Sequence, residues 1–256
     1  MIDVVVFGEL PIATKIVQYL ESLDGVRVPC VVCENYDANN ADPWLDVPML
    51  FQYAKDVGIQ VLSLSELQAF LQNSNLKPVV GVTARFSRIL RKNHLMLFEH
   101  GVINLHGGLL PEFGGLYSVN HMLLSGCKIG GGSIHWVDLG IDTGILIKRC
   151  FCNIEGEDTA YNLYQKVQVA LYDGIVEVLG KGLEVGFDNV LVEENISENT
   201  NKQYFGKDSL AGLKMIAFDN INTGEALRTI RAFDFPGYEP AYTIVANSKI
   251  YLRIKF

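Results

Sequence analysis

The sequence predicts an α/β fold built on a doubly wound, mostly parallel β-sheet. Through the first half of the chain, short apolar runs alternate with stretches in which apolar residues recur at helical spacing. This alternation is typical of βαβ units, in which crossover helices join parallel strands. The apolar runs are nearly continuous, as expected of strands covered on both faces. The pattern is Rossmann-like, and in such folds ligands bind beyond the carboxyl ends of the strands.

The individual elements follow from the period of the apolar residues along the chain. We expect strands over residues 2–7, 26–33, 59–62, 78–83, 101–105, 132–137 and 145–151. We expect helices over residues 12–23, 49–57, 65–71, 87–97, 118–125 and 157–179. Ser65 is placed to cap one helix and Gly58 to end another. The segment 34–48 is rich in Asn, Asp and Pro, which indicates a surface loop.

The composition changes after Gly180, which predicts a second unit. Residues 187–202 are polar and rich in Asn and Glu, so we place a boundary near residue 186. Residues 1–186 then form the main domain, and residues 187–256 form a small α+β subdomain. In that subdomain we expect a helix over 221–233 and a terminal β-hairpin of 241–246 and 250–254.

Charge and composition exclude several classes of protein. The 256-residue chain has a formal net charge of −8, which disfavours extended contact with a nucleic-acid backbone. No apolar stretch approaches the roughly 20 residues that span a bilayer, and the first residues lack the pattern of a signal peptide. The five cysteines are expected to be reduced, and their spacing completes no zinc site. These features predict a cytoplasmic protein without a metal.

Two short segments carry the chemistry. Residues 104–115 read Asn-Leu-His-Gly-Gly-Leu-Leu-Pro-Glu-Phe-Gly-Gly, and residues 138–144 read Asp-Leu-Gly-Ile-Asp-Thr-Gly. Asn104 and His106 lie two apart at the end of an apolar run, so in a strand they share a face. Asp142 follows another such run in a glycine-flanked turn. An amide donor, an imidazole and a carboxylate together can stabilise an oxyanion and move a proton, as acyl transfer between nitrogens requires.

With these motifs, residues 79–180 closely resemble the N10-formyltetrahydrofolate-dependent formyltransferases, and residues 1–78 resemble them more weakly. The resemblance implies the formyltransferase fold and assigns catalysis to Asn104, His106 and Asp142. It also implies N10-formyltetrahydrofolate as co-substrate, with its pterin between segment 85–90 and loop 137–142. We therefore expect cofactor contacts from Phe86, Arg88, Ile89, Leu90, Val137 and Asp138. We expect acceptor contacts from Gly107, Gly108, Tyr117 and Asn120.

The sequence departs from the family pattern beside the first motif. Many members read Leu-Leu-Pro-x-Tyr-Arg-Gly, whereas this chain has Gly114 in place of the Arg. Where a substrate phosphate is bound, it must then meet backbone N–H groups of the glycine-rich turn or another cation.

The acceptor depends on the part of the chain after residue 186. A tRNA acceptor is disfavoured by the negative charge and by a tail shorter than the barrel found in that branch of the family. The tail, with Arg228–Phe233 followed by Pro236 and Gly237, resembles that of sugar N-formyltransferases. The expected acceptor is a 3- or 4-amino-dideoxyhexose on dTDP, GDP or UDP, for bacterial surface polysaccharides such as lipopolysaccharide O-antigen. The resemblance also implies a homodimer formed through the C-terminal hairpin.

Three other functions compete with this assignment. The ribonucleotide acceptor of purine synthesis, phosphoribosylglycinamide, suits a chain that ends after the long helix. A non-catalytic sugar-nucleotide binding protein would not need the Asn, His and Asp constellation. A dinucleotide-dependent oxidoreductase is disfavoured because residues 7–12 contain Gly8 alone and lack Gly-x-Gly-x-x-Gly.

Overall fold

The computed structural model describes residues 1–190 and 201–254. The strands in these ranges are β1 (Ile2–Gly8), β2 (Val26–Arg27), β3 (Cys30–Val32), β4 (Gln60–Leu62), β5 (Val80–Ala84), β6 (Val102–His106), β7 (Gly114–Gly115), β8 (Ile129–Trp136), β9 (Leu146–Asn153), β10 (Tyr204–Phe205), β11 (Tyr242–Val245) and β12 (Ser248–Tyr251). The α-helices are α1 (Pro11–Glu21), α2 (Leu50–Val57), α3 (Leu64–Asn73), α4 (Lys92–Leu95), α5 (Ser118–Leu124), α6 (Ala160–Val185) and α7 (Gly224–Ala232).

The central sheet confirms the predicted fold class. Its strand order is β4-β3-β1-β5-β6-β8-β9, with β2 also paired to β1. The strands from β4 to β6 are parallel, whereas β8 and β9 are antiparallel to their neighbours. Strand order reverses direction beside β1, so the carboxyl ends of β1, β5 and β6 border the crevice where such sheets bind ligands.

Apolar side chains cover both faces of this sheet. Val4 and Val6 of β1 belong to one buried cluster, and Val5 and Phe7 belong to the other. Helices α1, α5 and α6 contribute to the first cluster, while α3 contributes to the second. The nearly continuous apolar runs therefore mark strands buried on two sides, as predicted.

Two predicted elements of the first half differ from the structure. The strand expected over 26–33 is divided into β2 and β3, because Pro29 between them has no N–H to donate. The helix expected over 87–97 is wrong except for α4. The chain turns at Arg85 with φ of 57°, and Ser87 donates both its N–H and its hydroxyl to Glu9 Oε1. These bonds hold residues 85–91 as a loop.

Two helix termini differ from their predicted positions. Ser63, and not Ser65, caps α3, and Glu66 accepts from the Ser63 backbone N–H at 2.8 Å. Helix α6 begins after the capping residue Thr159 and runs to Val185, six residues beyond the predicted end. The long helix thus reaches the proposed domain boundary, which itself stays a prediction.

The C-terminal part contains the predicted helix and hairpin. Helix α7 begins after Thr223, whose hydroxyl accepts from the Ala226 N–H. Strands β11 and β12 pair antiparallel across Ala246 and Asn247, both at positive φ, so the expected turn at 247–249 was wrong by one or two residues. Most of the polar segment predicted over 187–202 lies outside the described residues. Among those described, no helix has the length and apolar character needed to cross a membrane.

The sequence patterns did not predict a second, two-stranded sheet. Strand β10 pairs in parallel with β7, Tyr204 opposite Gly114 and Phe205 opposite Gly115. This pairing brings the chain after residue 203 against the first chemical motif.

Candidate active site

Asn104 is held from both sides at the end of β6. Its Oδ1 accepts the Thr83 hydroxyl at 2.5 Å, so its amide nitrogen faces His135 Nε2 at 3.0 Å. His135 donates through Nδ1 to the Trp136 carbonyl at 2.9 Å, which leaves Nε2 as the acceptor for Asn104. Asn104 and His135 are direct partners in the antiparallel β6–β8 register. The position of the Asn104 amide is therefore set by the sheet itself.

His106 and Asp142 form a buried pair beside Asn104. The Nδ1 atom of His106 lies 3.4 Å from Asp142 Oδ2, and His106 Nε2–H donates to the Phe113 carbonyl at 2.7 Å. The same Asp142 oxygen accepts the Gly115 N–H at 2.8 Å. His135 Nε2 is 3.7 Å from Asp142 Oδ1, too long for a hydrogen bond. The structure thus brings the three residues singled out from the sequence to one place.

The charges of this pair follow from burial and neighbours. Burial lowers the pKa of His106, and the Asp142 carboxylate only partly offsets that effect. Burial also raises the pKa of Asp142, but the neighbouring His135, the neighbouring His106 and the Gly115 N–H outweigh it, so the net shift is downward. At neutral pH the imidazole is therefore neutral and the carboxylate ionised. A proton taken up by His106 at Nδ1 would immediately face a carboxylate.

The conformation of loop 138–144 explains the residues of the Asp142 motif. Asp142 has φ of 54°, in the left-handed region. Thr143 donates its hydroxyl to Asp138 Oδ1 at 2.7 Å, which closes the loop from within. A Cβ at Gly144 would overlap the carbonyl oxygen of Trp136, so only glycine lets the chain pass there. This short segment turns a carboxylate inward toward His106.

A cavity of about 540 Å³ opens beside His106. The chain before residue 190 supplies one wall, and residues from 207 onward supply the other. Its wall includes the cations Arg85, Lys207 and Lys214 and the aromatic residues Tyr117, Tyr164, Phe233, Phe235 and Tyr238. Cations with aromatic and apolar walls suit a small anionic ligand that carries a planar ring.

The expected acceptor residues lie around this cavity. Gly107, Tyr117 and Asn120 are in its wall. The Asn120 amide nitrogen donates to the Ala232 carbonyl at 2.6 Å, so this side chain also joins α5 to α7. Gly108 lies behind the wall, where a Cβ would overlap the Phe113 carbonyl oxygen.

The expected cofactor residues occupy two segments with exposed apolar side chains. Ile89 is 67% exposed, and Leu139 and Ile141 of the facing loop are 72% and 47% exposed. Phe86 and Val137 are half-buried, Leu90 is buried and Asp138 is exposed. Arg88 is also exposed and pairs with Glu34 at 3.3 Å. Unpaired apolar side chains on two neighbouring segments suit the faces of a flat heterocycle.

Three features of the site were not found from the sequence. His135 contacts Asn104, and no pattern in the sequence pointed to this contact. Lys207 and Lys214 had no local signal. Arg85 is a non-glycine residue in the left-handed region, and its guanidinium lies 5.4 Å from the centre of the Tyr164 ring. Backbone strain of this kind concentrates at functional sites. Among the described residues, no group of three or more His, Cys, Asp or Glu is arranged to hold a metal ion.

Comparison with known sequences now decides the family. The sequence profile described as "Formyl transferase" matches residues 2–179. The chain belongs to the formyl transferase family. The chain is 28% identical over 200 residues to methionyl-tRNA formyltransferase of Wolbachia pipientis, covering 77% of this chain and 62% of that protein. The chain thus aligns with less than two thirds of the length of this relative.

Three solved structures with a similar fold cover between 74% and 99% of this chain. An N-formyltransferase from Helicobacter canadensis, solved with folinic acid and dTDP-3-aminofucose, has a TM-score of 0.73 and 22% identity and covers 98% of this chain and 86% of its own. A 4-N formyltransferase from Francisella tularensis has a TM-score of 0.74 and 18% identity, with 99% and 97% covered. Phosphoribosylglycinamide formyltransferase from Bacillus halodurans has a TM-score of 0.61 and 23% identity, with 74% and 99% covered. The first two share the fold through the C-terminal part.

Proposed function

We propose that this protein transfers a formyl group from N10-formyltetrahydrofolate to the amino group of a nucleotide-linked amino-dideoxy sugar. The observation that carries the proposal is the buried His106–Asp142 pair beside the Asn104 amide, opening on a cavity that the C-terminal part helps to enclose. Family membership supports the reaction, and the cavity supports the class of acceptor.

The formyl donor fits the two exposed apolar segments. The pterin would lie between residues 85–90 and 137–142, where Ile89, Leu139 and Ile141 expose apolar surface. Loop 137–142 carries Asp142, and segment 85–90 follows β5, which pairs with the strand of Asn104. The formyl group would therefore be presented between the amide donor and the proton acceptor, and the neighbouring structure with bound folinic acid supports this class of donor.

The reaction then needs an oxyanion donor and a proton acceptor. When the amine nitrogen attacks the formyl carbon, the carbonyl oxygen becomes negative, and the Asn104 N–H group can donate to it. The ammonium proton passes to the neutral His106, and Asp142 stabilises the imidazolium through Nδ1–H. When the bond from carbon to N10 breaks, the same proton is returned to the leaving nitrogen. No covalent enzyme intermediate is required.

The acceptor is inferred from the cavity wall. Arg85, Lys207 and Lys214 provide positive charge for a diphosphate, which removes the need for an Arg at position 114. Phe235 and Tyr238 offer aromatic surface for a base. A chain that ended after α6 would lack Lys207, Lys214 and this aromatic surface. This distinction favours the nucleotide sugar over phosphoribosylglycinamide, whose formyltransferase matches only 74% of this chain.

An acceptor screen tests the proposal. Purified protein is incubated with N10-formyltetrahydrofolate and, separately, with dTDP-, GDP- and UDP-linked 3-amino and 4-amino sugars, phosphoribosylglycinamide and methionyl-tRNA. We expect release of tetrahydrofolate with an amino-sugar nucleotide alone. Preference for phosphoribosylglycinamide or for methionyl-tRNA would overturn the acceptor, and absence of turnover with every amine would overturn the transferase.

The hairpin is proposed to form a homodimer. Ile244 and Tyr251 are 52% and 54% exposed, and they share one face of the hairpin with Tyr242, the partner of Tyr251 in the β11–β12 register. Light scattering after gel filtration should give twice the monomer mass. Replacing Ile244 and Tyr251 with Lys should give the monomer mass, and an unchanged dimer in that variant would contradict this interface.

A further inference from the structure

Strand β10 lies against the catalytic loop, although it belongs to a distant part of the chain. The Gly114 N–H donates to the Gln203 carbonyl at 3.1 Å, and the Leu116 N–H donates to the Phe205 carbonyl at 2.8 Å. The Gln203 N–H donates to the Pro111 carbonyl at 3.1 Å. Three backbone hydrogen bonds therefore bracket residues 113–115.

Those bracketed residues carry the two backbone groups that orient the buried pair. The Phe113 carbonyl accepts from His106 Nε2–H, and the Gly115 N–H donates to Asp142. The Phe113 carbonyl shares its peptide group with the Gly114 N–H that bonds Gln203, and the residue after Gly115 bonds Phe205. The β7–β10 pairing thus fixes one contact of each member of the pair.

Ring stacking adds to the backbone pairing. The Phe205 ring lies flat on His121, with centroids 3.6 Å apart, and nearly parallel to Phe113 at 6.2 Å. His121 in turn bonds Ser209 through Nε2 at 2.9 Å. Phe205 is therefore held between the catalytic loop and α5.

The same contact accounts for the two glycines of the motif. A Cβ at Gly115 would overlap the Phe205 carbonyl oxygen, and one at Gly114 would lie only 3.1 Å from the Gln203 carbonyl oxygen. A side chain at position 114 would press on the Gln203 carbonyl and so on β10. Gly114 therefore suits the close approach of β10, as well as marking the departure from the family pattern.

We propose that β10 is a positioning element of the active site, with Phe205 and the Gln203 carbonyl holding the loop that orients His106 and Asp142. This role of β10 rests on the proposed function, and it assigns a part in the active site to residues beyond the family match, which ends at residue 179. Strand β10 acts through the Phe113 carbonyl and the Gly115 N–H. Loss of its pairing with β7 should therefore lower kcat more than it raises KM for either substrate.

A nuclear magnetic resonance titration tests the positioning without any turnover. In the wild-type protein the Gly115 amide proton should lie downfield and follow the ionisation of Asp142, because it donates to that carboxylate. In Phe205→Ala and Gly114→Arg this resonance should move upfield and lose its dependence on pH. Phe218→Ala removes an aromatic ring that is 57% exposed in the same part of the chain and should change nothing. An unchanged Gly115 resonance in Phe205→Ala would overturn the proposal, whatever the acceptor screen gives.

Kinetics provide a second test. Phe205→Ala should lower kcat by about 10- to 100-fold, the cost of a small misplacement of reacting groups. In an Asp142→Asn background the same change should lower kcat less than about threefold, because residues that act through one another are not additive. Phe205→Tyr keeps the ring and should restore kcat. Equal losses in both backgrounds would refute positioning through Asp142, and Gly114→Ala serves as a milder variant if Phe205→Ala does not fold.

Discussion

The charge of Asp142 should account for a large share of the rate. Asp142→Asn keeps an oxygen for the Gly115 N–H but removes the partner of the protonated His106. At the 3.4 Å separation of Nδ1 and Oδ2, and with an effective dielectric constant of about 20, the attraction is about 5 kcal/mol. Since each 1.4 kcal/mol is about tenfold in rate, we expect kcat to fall by about three to four orders of magnitude.

The pH dependence of kcat should change in a defined direction in Asp142→Asn. In the proposed mechanism His106 accepts a proton, so we expect activity to be lost as the pH falls through its pKa. Burial holds the pKa of His106 below its usual value, and Asp142 opposes that shift. Removing the carboxylate lowers the pKa of His106 further, so the acid limb of the kcat profile should move to lower pH in Asp142→Asn.

Steady-state kinetics over pH with both substrates varied would measure these effects. The matched control is Asp188→Asn, because Asp188 forms the other His–Asp pair, with His100 at 2.9 Å, and is 82% exposed. Its removal should leave kcat and the pH profile unchanged. A loss below tenfold in Asp142→Asn, or an acid limb that moves to higher pH, would refute this account of the pair.

Three further predictions concern stability and are measured by urea denaturation. Asp42 is fully buried and accepts hydrogen bonds from the Ile12 N–H and the Tyr164 hydroxyl. Asp42→Ala should therefore lower the free energy of unfolding by about 2–4 kcal/mol, and a decrease under about 1 kcal/mol would contradict the importance of these two bonds. Burial raises the pKa of Asp42, so its contribution to stability is present at low pH and is lost as the pH rises through that pKa. The free energy of unfolding of Asp42→Asn should not show this loss. Parallel pH profiles of stability for the wild-type protein and Asp42→Asn would contradict the prediction. Thr159 caps α6 by accepting from the Asn162 N–H, so Thr159→Ala should cost about 1 kcal/mol while Thr159→Ser costs little.

The parts of the site that the sequence predicted are those fixed by local pattern. The two-residue spacing of Asn104 and His106 at a strand end gives their common location, and the glycine-flanked turn brings Asp142 inward. These signals lie within a few residues of the groups they place, and the family resemblance gave them roles.

The parts that were missed depend on distant pairing. His135 meets Asn104 because β8 is antiparallel to β6 in a particular register, which hydrophobic alternation does not specify. Strand β10 has only two residues, too few for any period to show. Arg85 occupies a left-handed conformation that an arginine rarely adopts, so the residue type gave no indication of a turn at this position. The helix wrongly expected over 87–97 failed for the same reason, since tertiary bonds to Glu9 replaced helical ones.

The β7–β10 pairing also sets the order in which the molecule is completed. The strands of the central sheet are all synthesised by Asn153, and neighbouring strands can pair as they leave the ribosome. Gly114 must instead wait for Tyr204, roughly ninety positions later. The loop around His106 and Asp142 can therefore be secured by β10 only after the last strand of the central sheet and all of α6 have been synthesised.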